Sequence, residues 1–455
     1  MATLNKVVFQ TPMSVSDAGT TTFESTSFGN PLFALVMGTQ HAGGDANKAL
    51  QDHATISFGW VEGTSLTSAT DQAAVAQREQ DAQANQSGIH LDTGKGFFIA
   101  PSVSAAQYDS YLECTTFPDT DGYIGTTRSA ADDDYNIVNA MFSGGAISNH
   151  AAGRTNFAGD PTSQKTITVG FQADVLIAIT DNAQDFDATA AGGGGRYTLG
   201  IAVRGAGTAV AAQMSINRAE WASQTTAKPR GIMSNGYICK PPDDNELKAR
   251  WRAAVDSFEA TTILVTPEDK GDDATNLTQD NPLSYVAWFA FKLAAGHSAN
   301  LQMRTSPTSD GIDTITTTGI TPEFVLAAIS YITTLEDSPD DAEAGAYCLS
   351  FMTVANQICC SYMSDQGAAT TNCASTNATQ AVYCPADDQS VADGSHFAAT
   401  LDGFNSGNFG LDYTSELGTG RQQFFLAIGA DVVGGSGVPS AYEQTTQMGT
   451  GAGEI

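Results

Sequence analysis

Basic residues are scarce in this chain. Lysine and arginine together number 20 of 455 residues, against 50 aspartates and glutamates, so the formal charge is −30. Charged residues make up only 15% of the sequence, below the ~25% usual for globular proteins. Because binding to nucleic-acid phosphates needs clustered lysine and arginine, this shortage argues against DNA or RNA as a partner. It also disfavours docking on an anionic membrane surface.

Long hydrophobic segments are missing as well. No stretch approaches the roughly 18 consecutive apolar residues of a transmembrane helix. The N-terminus, MATLNKVVFQTPMSV, lacks the basic region and apolar stretch of a signal peptide. We therefore expect no membrane insertion, and assembly in the cytoplasm of the cell that makes the protein, with any release needing no export signal.

The common catalytic motifs are absent too. The sequence contains no GxSxG, P-loop, HExxH or CxxC pattern, and its six histidines are scattered. The acidic loops at 132–134 and 181–187 lack the EF-hand spacing, and we interpret them as solvated turns. We therefore predict that the protein is not an enzyme, with no catalytic residues, no cofactor and no metal site.

The cysteines predict buried thiols. Seven are present, and five of them lie in the last third of the chain. If Cys359 and Cys360 lie on a strand, their side chains point to opposite faces. A disulfide between the strands of Cys348 and Cys359 stays open at this stage.

The residues that are abundant favour β-structure. Hydrophobic residues make up 41% of the chain and predict real cores, while the 45 glycines and the excess of aspartate over glutamate favour turns. The apolar runs FALVM, LIAI and FVLAAI have the length of strands buried between two layers. We predict an all-β fold made of β-sandwiches.

Five short patterns recur three times in the same order. The first is a glycine followed by an apolar strand, beginning at Gly29, Gly170 and Gly319, and these glycines lie 141 and 149 residues apart. The other landmarks lie around Phe58, Ile201 and Phe351; around 97–102, 237–244 and 382–388; around Phe117, Phe258 and Phe404; and at 135–145, 285–296 and 423–431. This pattern predicts an internal repeat of about 145 residues.

The repeat divides the chain into three tandem β-sandwich domains and an arm. The domains are residues 1–147, residues 148–301 and the cysteine-rich residues 302–433, and the glycine-rich and serine-rich arm is 434–455. One short helix is expected in the middle domain, at Pro241–Val255, where Pro and Asp precede Glu246 and Arg250 at helical spacing.

The charge is unequal among the three domains. Each carries 16 acidic residues, but the bases number 5, 13 and 2, giving net charges of −11, −3 and −14. Six bases fall in one segment of the middle domain: Lys228, Arg230, Lys240, Lys248, Arg250 and Arg252. One interpretation is a solvated surface with local salt bridges; the other is a subunit contact for an acidic neighbour, since opposite charges set register between subunits.

The order of the landmarks resembles repeated β-domains in structural proteins of tailed phages and related archaeal viruses. The matching pieces include Gly170–Ala173, Ser257-Phe258 and Phe425–Gly429, whereas the first repeat departs at Asn30-Pro31. The resemblance implies a virion component and supplies no catalytic residues.

These observations together predict a non-enzymatic structural protein of a virion, exposed on the capsid or tail. It would serve as a decoration, an appendage or a fibre-like component, with other virion proteins and copies of itself as partners and a host-surface glycan as a further candidate. The alternative is a secreted or cell-surface adhesin or glycan-binding protein. A polysaccharide-degrading tail enzyme is a third hypothesis, which predicts a cleft with two carboxylates roughly 5–9 Å apart.

Overall fold

A computed structural model shows an all-β protein. The described residues are 19–24, 28–40, 53–63, 72–80, 88–99, 110–119, 121–128, 135–157, 163–181, 196–219, 230–242, 251–269, 285–333, 346–364, 373–385, 396–415 and 418–432. Strands account for most of these residues, no helix occurs among them, and every pairing between their strands is antiparallel. The predicted all-β class is therefore confirmed.

The strands form three pairs of sheets, each with a large and a small member. The first pair contains β1 (Gly19–Glu24), β2 (Phe33–Gln40), β3 (His53–Glu62), β4 (Gln72–Gln80), β5 (Gly88–Asp92), β6 (Phe97–Ile99), β7 (Ser110–Asp119), β8 (Gly122–Arg128) and β9 (Tyr135–Phe142). Its large sheet has the order β5-β4-β3-β2-β9 and its small sheet the order β1-β8-β7-β6.

The second pair follows directly. It contains β10 (Ile147–Asn156), β11 (Lys165–Thr168), β12 (Val175–Thr180), β13 (Arg196–Arg204), β14 (Val210–Ala219), β15 (Arg230–Ser234), β16 (Trp251–Phe258), β17 (Thr262–Asp269) and β18 (Tyr285–Leu293). The large sheet runs β10-β18-β12-β13-β14-β15 and the small sheet β11-β17-β16. An isolated bridge between Cys239 and Ala253 extends the small sheet beside β16.

The third pair completes the described fold. It contains β19 (His297–Thr305), β20 (Gly311–Thr316), β21 (Ile320–Ser330), β22 (Tyr347–Thr353), β23 (Gln357–Ser364), β24 (Cys373–Ala378), β25 (Val382–Pro385), β26 (His396–Asn405), β27 (Asn408–Ser415) and β28 (Gln422–Asp431). Its large sheet runs β19-β28-β21-β22-β23-β24 and its small sheet β20-β27-β26-β25.

The inner strands of each large sheet are largely buried on both faces. One face packs on its own small sheet, as where Val36 of β2 joins Phe23 of β1 and Tyr123 of β8 in one cluster. The other face joins a core shared by all three large sheets, to which Leu35 of the same strand belongs. This explains why β12 (VLIAIT) is apolar almost throughout and buried at every position: no face of the strand meets water.

The three large sheets contact one another in a closed cycle. Strands β4 and β5 of the first pack on β12 and β13 of the second, β13 and β14 of the second pack on β19 of the third, and β23 and β24 of the third pack on β2 and β3 of the first. Each junction also has an aromatic contact: Trp60 with Phe289 at 5.8 Å, Tyr197 with Tyr347 at 5.7 Å and Phe142 with Phe324 at 5.1 Å between ring centroids. The sheets therefore share a single central core.

The helix expected at Pro241–Val255 is wrong for its described C-terminal part. Trp251–Val255 belong to strand β16, and residues 243–250 lie outside the described residues. Trp251, Ala253 and Val255 are buried while Arg252 and Ala254 are partly exposed, which is the two-residue period of a strand. The arm at 434–455 also lies outside the described residues.

Candidate functional site

The structure describes only part of the predicted basic contact segment. Lys228, Lys248 and Arg250 lie outside the described residues, and Arg230 is described only through its backbone, which pairs with Ala219 at the edge of the second large sheet. A subunit contact at these four residues therefore stays a prediction.

The other two predicted cations, Lys240 and Arg252, are tied into the second sheet pair. The Lys240 ammonium lies 5.7 Å and the Arg252 guanidinium 4.5 Å from the ring centroid of Tyr237. Arg252 Nε also donates to Glu268 Oε2 at 2.7 Å, and Lys240 is buried. Because these cations already have partners within the chain, they contribute to local packing more than to a free charged surface.

A cleft lies between the second and third sheet pairs. It has a volume of ≈ 440 Å³ and is walled by four separate parts of the chain: Asp174 just before β12, the end of β13 with the residues after it (203–207), the connection from β18 to β19 (292–299), and Asp431 at the end of β28. The connection turns at Gly296, whose φ of +85° suits glycine. Asp431 N donates to Gly296 O at 2.8 Å, which holds the end of β28 against the turn.

One wall of the cleft contains an ion pair whose opposite charges neutralise each other. Arg204 forms a salt bridge with Asp174, and its Nη1 donates to the carbonyl oxygen of Gly207 at 2.9 Å. Asp174 Oδ2 in turn accepts from Leu293 N at 2.8 Å. These contacts connect β12, β13 and β18 and fix the charged wall in place.

Two other residues of the cleft carry buried polar atoms without hydrogen-bond partners. The His297 side chain is only 5% exposed, and neither Nδ1 nor Nε2 has a hydrogen-bond partner. Its closest carboxylate oxygen, Glu323 Oε2, is 3.9 Å from Nε2. Asp431 Oδ1 is likewise buried and unpartnered. Since buried polar atoms are nearly always satisfied, these three atoms are candidates for contact with a bound molecule.

Sequence reasoning missed this site because its residues are distant in sequence and carry no motif. His297 was one of six scattered histidines, and Asp431 was one of many acids. A usable signal exists in retrospect: His297 is the first residue of β19, and the first residue of β10 in the preceding sheet pair is Ile147. The strand β10 begins with an apolar residue. A histidine at the corresponding position of β19 therefore indicates that this position serves something other than core packing.

A partly buried histidine, His150, lies between the first and second large sheets. His150 Nε2 is 3.5 Å from Glu62 Oε2, and its ring lies 5.9 Å from that of Phe33. Burial removes water from the imidazole and lowers the pKa of His150 below its usual value. Although the nearby carboxylate favours protonation, we take desolvation as the dominant effect because the ring packs among aromatic side chains.

This lowered pKa predicts a loss of stability in acid. The unfolded state binds the extra proton below about pH 6.5, so the stability is fully present above that pH and falls as the pH drops towards the folded pKa. In urea unfolding at a series of pH values, we expect His150→Gln to weaken this decrease. An unchanged slope in the variant would assign the pH dependence to other groups.

The cysteine expectations have mixed outcomes. Cys359 packs with Tyr383 under the small sheet while Cys360 belongs to the central core, so the prediction of opposite faces is confirmed. Cys348 and Cys359 lie on adjacent strands, offset by two residues, and both are free thiols. The structure therefore has no disulfide between these two strands.

The buried thiols should be slow to react. Burial raises the pKa of the Cys114 thiol to about 12 and also raises that of Cys360, which suppresses the reactive thiolate. With an aromatic disulfide reagent, we expect at most Cys373, whose side chain is outside the described residues, to react rapidly in the native protein. All seven should react in guanidinium. Rapid modification of several native thiols would contradict this burial.

Comparison with known proteins identifies no relative: no protein-family model and no curated protein matches the chain. Within the described segments, no group of three or more histidine, cysteine or acidic side chains is placed to hold a metal ion. The same segments contain no helix long and apolar enough to span a membrane.

Proposed function

We propose that this chain is a non-enzymatic structural protein of a tailed virus, exposed on the capsid or tail and built from three tandem β-sandwich domains. The observation that carries the proposal is the closed cycle of the three large sheets around one core. A chain folded in this way can serve as a pseudo-trimer, a compact block for a position of threefold or sixfold symmetry in a particle.

Matching strand orders support the domain repeat. Starting from β9, β18 and β28, the large sheets share a five-strand order: β9-β2-β3-β4-β5, β18-β12-β13-β14-β15 and β28-β21-β22-β23-β24. The small sheets match as β1-β8-β7-β6, β11-β17-β16 with the Cys239 bridge, and β20-β27-β26-β25. The five sequence landmarks fall on or beside corresponding strands in this alignment.

A shared backbone conformation supports the repeat independently. Gly29, Gly170 and Gly319 have φ values of 80°, 82° and 83°. L-residues rarely adopt this conformation. Each glycine precedes the corresponding strand of its large sheet, β2, β12 or β21, so the first landmark has one structural role in all three units.

The strand pairing refines the proposed boundaries. Ile147 begins β10, which pairs with β18, and His297 begins β19, which pairs with β28. We therefore place the domain boundaries just before Ile147 and His297, which leaves residues 143–146 and 294–296 as the two connections.

The particle itself provides the main test of the role. We expect antibodies against the recombinant chain to label the surface of purified virus particles in immunogold electron microscopy. Quantitative mass spectrometry of the same particles should give a high copy number that matches a symmetry of the capsid or tail. Absence of the chain from purified particles, or a trace amount that washes away with salt, would reject the structural role.

The basic segment gives a second test, at the level of self-association. If Lys248 contacts an acidic surface of another copy, Lys248→Glu should weaken association in sedimentation experiments at low salt, and salt should weaken that of the wild type. The matched control is Lys95→Glu, which makes the same charge change at a cation already paired with Glu113. Equal association of both variants would contradict the contact.

A further inference from the structure

The cleft between the second and third sheet pairs has the polar groups of a ligand site. Both ring nitrogens of His297 and the Oδ1 atom of Asp431 are buried and lack hydrogen-bond partners, and both residues line this cleft. Leaving a buried polar atom unsatisfied costs roughly 1–3 kcal/mol. Because the two residues that carry these three atoms both line one cleft, a molecule bound there could supply the missing partners.

The hydrogen-bonding capacities of these atoms restrict the ligand. An ionised carboxylate oxygen only accepts, so Asp431 Oδ1 requires a donor. An imidazole offers one donor and one acceptor, or two donors when it carries a second proton, so His297 requires at least one accepting group beside the donor that Asp431 requires. Hydroxyl groups do both, and two or three neighbouring hydroxyls could satisfy the whole cluster.

The charge of the cleft points to a neutral ligand. Arg204 and Asp174 compensate each other through their salt bridge. Lys292 and Asp431, which also line the cleft, have opposite charges. The formal charges of the Lys, Arg and Asp side chains that line the cleft therefore cancel, although the whole chain carries −30. A strongly anionic or cationic ligand would leave its own charge uncompensated on entering this space.

The size and the remaining walls suit a small carbohydrate. A volume of ≈ 440 Å³ falls within the roughly 300–1,000 Å³ of small-molecule sites. Much of the connection that walls the cleft consists of alanine and glycine, including Ala294, Ala295 and Gly296. These small residues leave backbone groups within reach of the ligand.

We propose that this cleft binds a neutral polyhydroxylated ligand, namely one or two sugar units of a glycan, with Asp431 and His297 as its hydrogen-bonding anchors. The inference rests on the proposed function and deepens it, because a glycan site would give an exposed virion protein a means of contact with a host surface.

The test is saturation-transfer NMR of the full chain with a panel of neutral methyl glycosides. Glycerol serves as a simple polyol probe and methyl phosphate, whose methyl protons can receive saturation, as an anionic one. We expect transfer to at least one glycoside and none to methyl phosphate. Asp431→Asn and His297→Ala should each weaken binding at least about tenfold, the effect of losing one buried hydrogen bond.

A matched control separates the cleft from general charge effects. Asp402→Asn removes one carboxylate at an exposed position of β26 and should bind sugars like the wild type. Thermal unfolding of each variant shows that it is folded. The proposal is overturned if no glycoside binds, if methyl phosphate is preferred, or if both folded cleft variants bind as well as the control.

The result of the sugar-binding test is independent of the result of the particle test of the structural role. Particle labelling does not depend on the cleft, so a chain found in virions without sugar binding would reject this inference and leave the structural role standing. A chain that binds sugars through Asp431 but is absent from particles would reject the structural role, support the sugar site and favour the adhesin alternative.

Discussion

Replacing Phe289 with alanine is expected to destabilise the whole protein by about 3–5 kcal/mol, as large-to-small changes of buried aromatic residues do. Phe289 is fully buried on β18, and its ring lies 4.6 Å from that of Phe33 and 5.8 Å from that of Trp60. The variant therefore opens a cavity where the first and second large sheets meet. Urea unfolding followed by tryptophan fluorescence measures the effect.

The shape of the unfolding curve tests the shared core. Since all three large sheets contribute to one cluster, we expect a single transition that shifts as a unit. If the wild type unfolds in several steps and Phe289→Ala moves only one of them, the domains have independent cores. Val354→Ala is the matched control, because Val354 is 78% exposed and its truncation should change stability by less than about 0.5 kcal/mol.

Replacing Gly200 with alanine is the second change with a large expected effect. An added Cβ at this position of β13 would lie 1.8 Å from the carbonyl oxygen of Ile238. No side-chain rotation relieves this overlap, because the obstructing atom belongs to the backbone. Ile238 is itself held by a hydrogen bond from its N to Ala253 O at 2.9 Å. We expect a loss of about 1–3 kcal/mol or more, in the range of overpacked cores.

The control for Gly200→Ala is the same substitution at a glycine where the added Cβ meets no neighbouring atom. An added Cβ at Gly19, in β1, meets no atom within 4 Å, so Gly19→Ala should leave the unfolding midpoint nearly unchanged. Differential scanning calorimetry of both variants provides the comparison. Equal melting temperatures would show that the segment carrying Ile238 moves away from β13 without cost.

Much of the strand content could be predicted from local patterns. The run VLIAIT becomes β12, and its apolar character on both faces correctly indicated burial between two layers. The pattern could not identify which two layers these were. Its outer face meets the second small sheet, whereas its inner face meets the core shared with the other large sheets.

The wrong helix shows where local rules fail. Residues 241–255 contain a proline start and a charge pair at helical spacing, yet Trp251–Val255 form part of β16. Alternate burial of Trp251, Ala253 and Val255 against the second large sheet decided the outcome. Tertiary packing overrides such weak local preferences routinely.

The sequence by itself determined the β class, the five recurring landmarks, the acidic net charge and the concentration of basic residues in the middle of the chain. These depend on composition and on neighbours along the chain. Only the tertiary structure decided that Lys240 and Arg252 pack around Tyr237, that three large sheets close into a cycle, and that His297 and Asp431 meet in one cleft. The physical reason is that these contacts join residues far apart in sequence, and no local period encodes which distant surfaces meet.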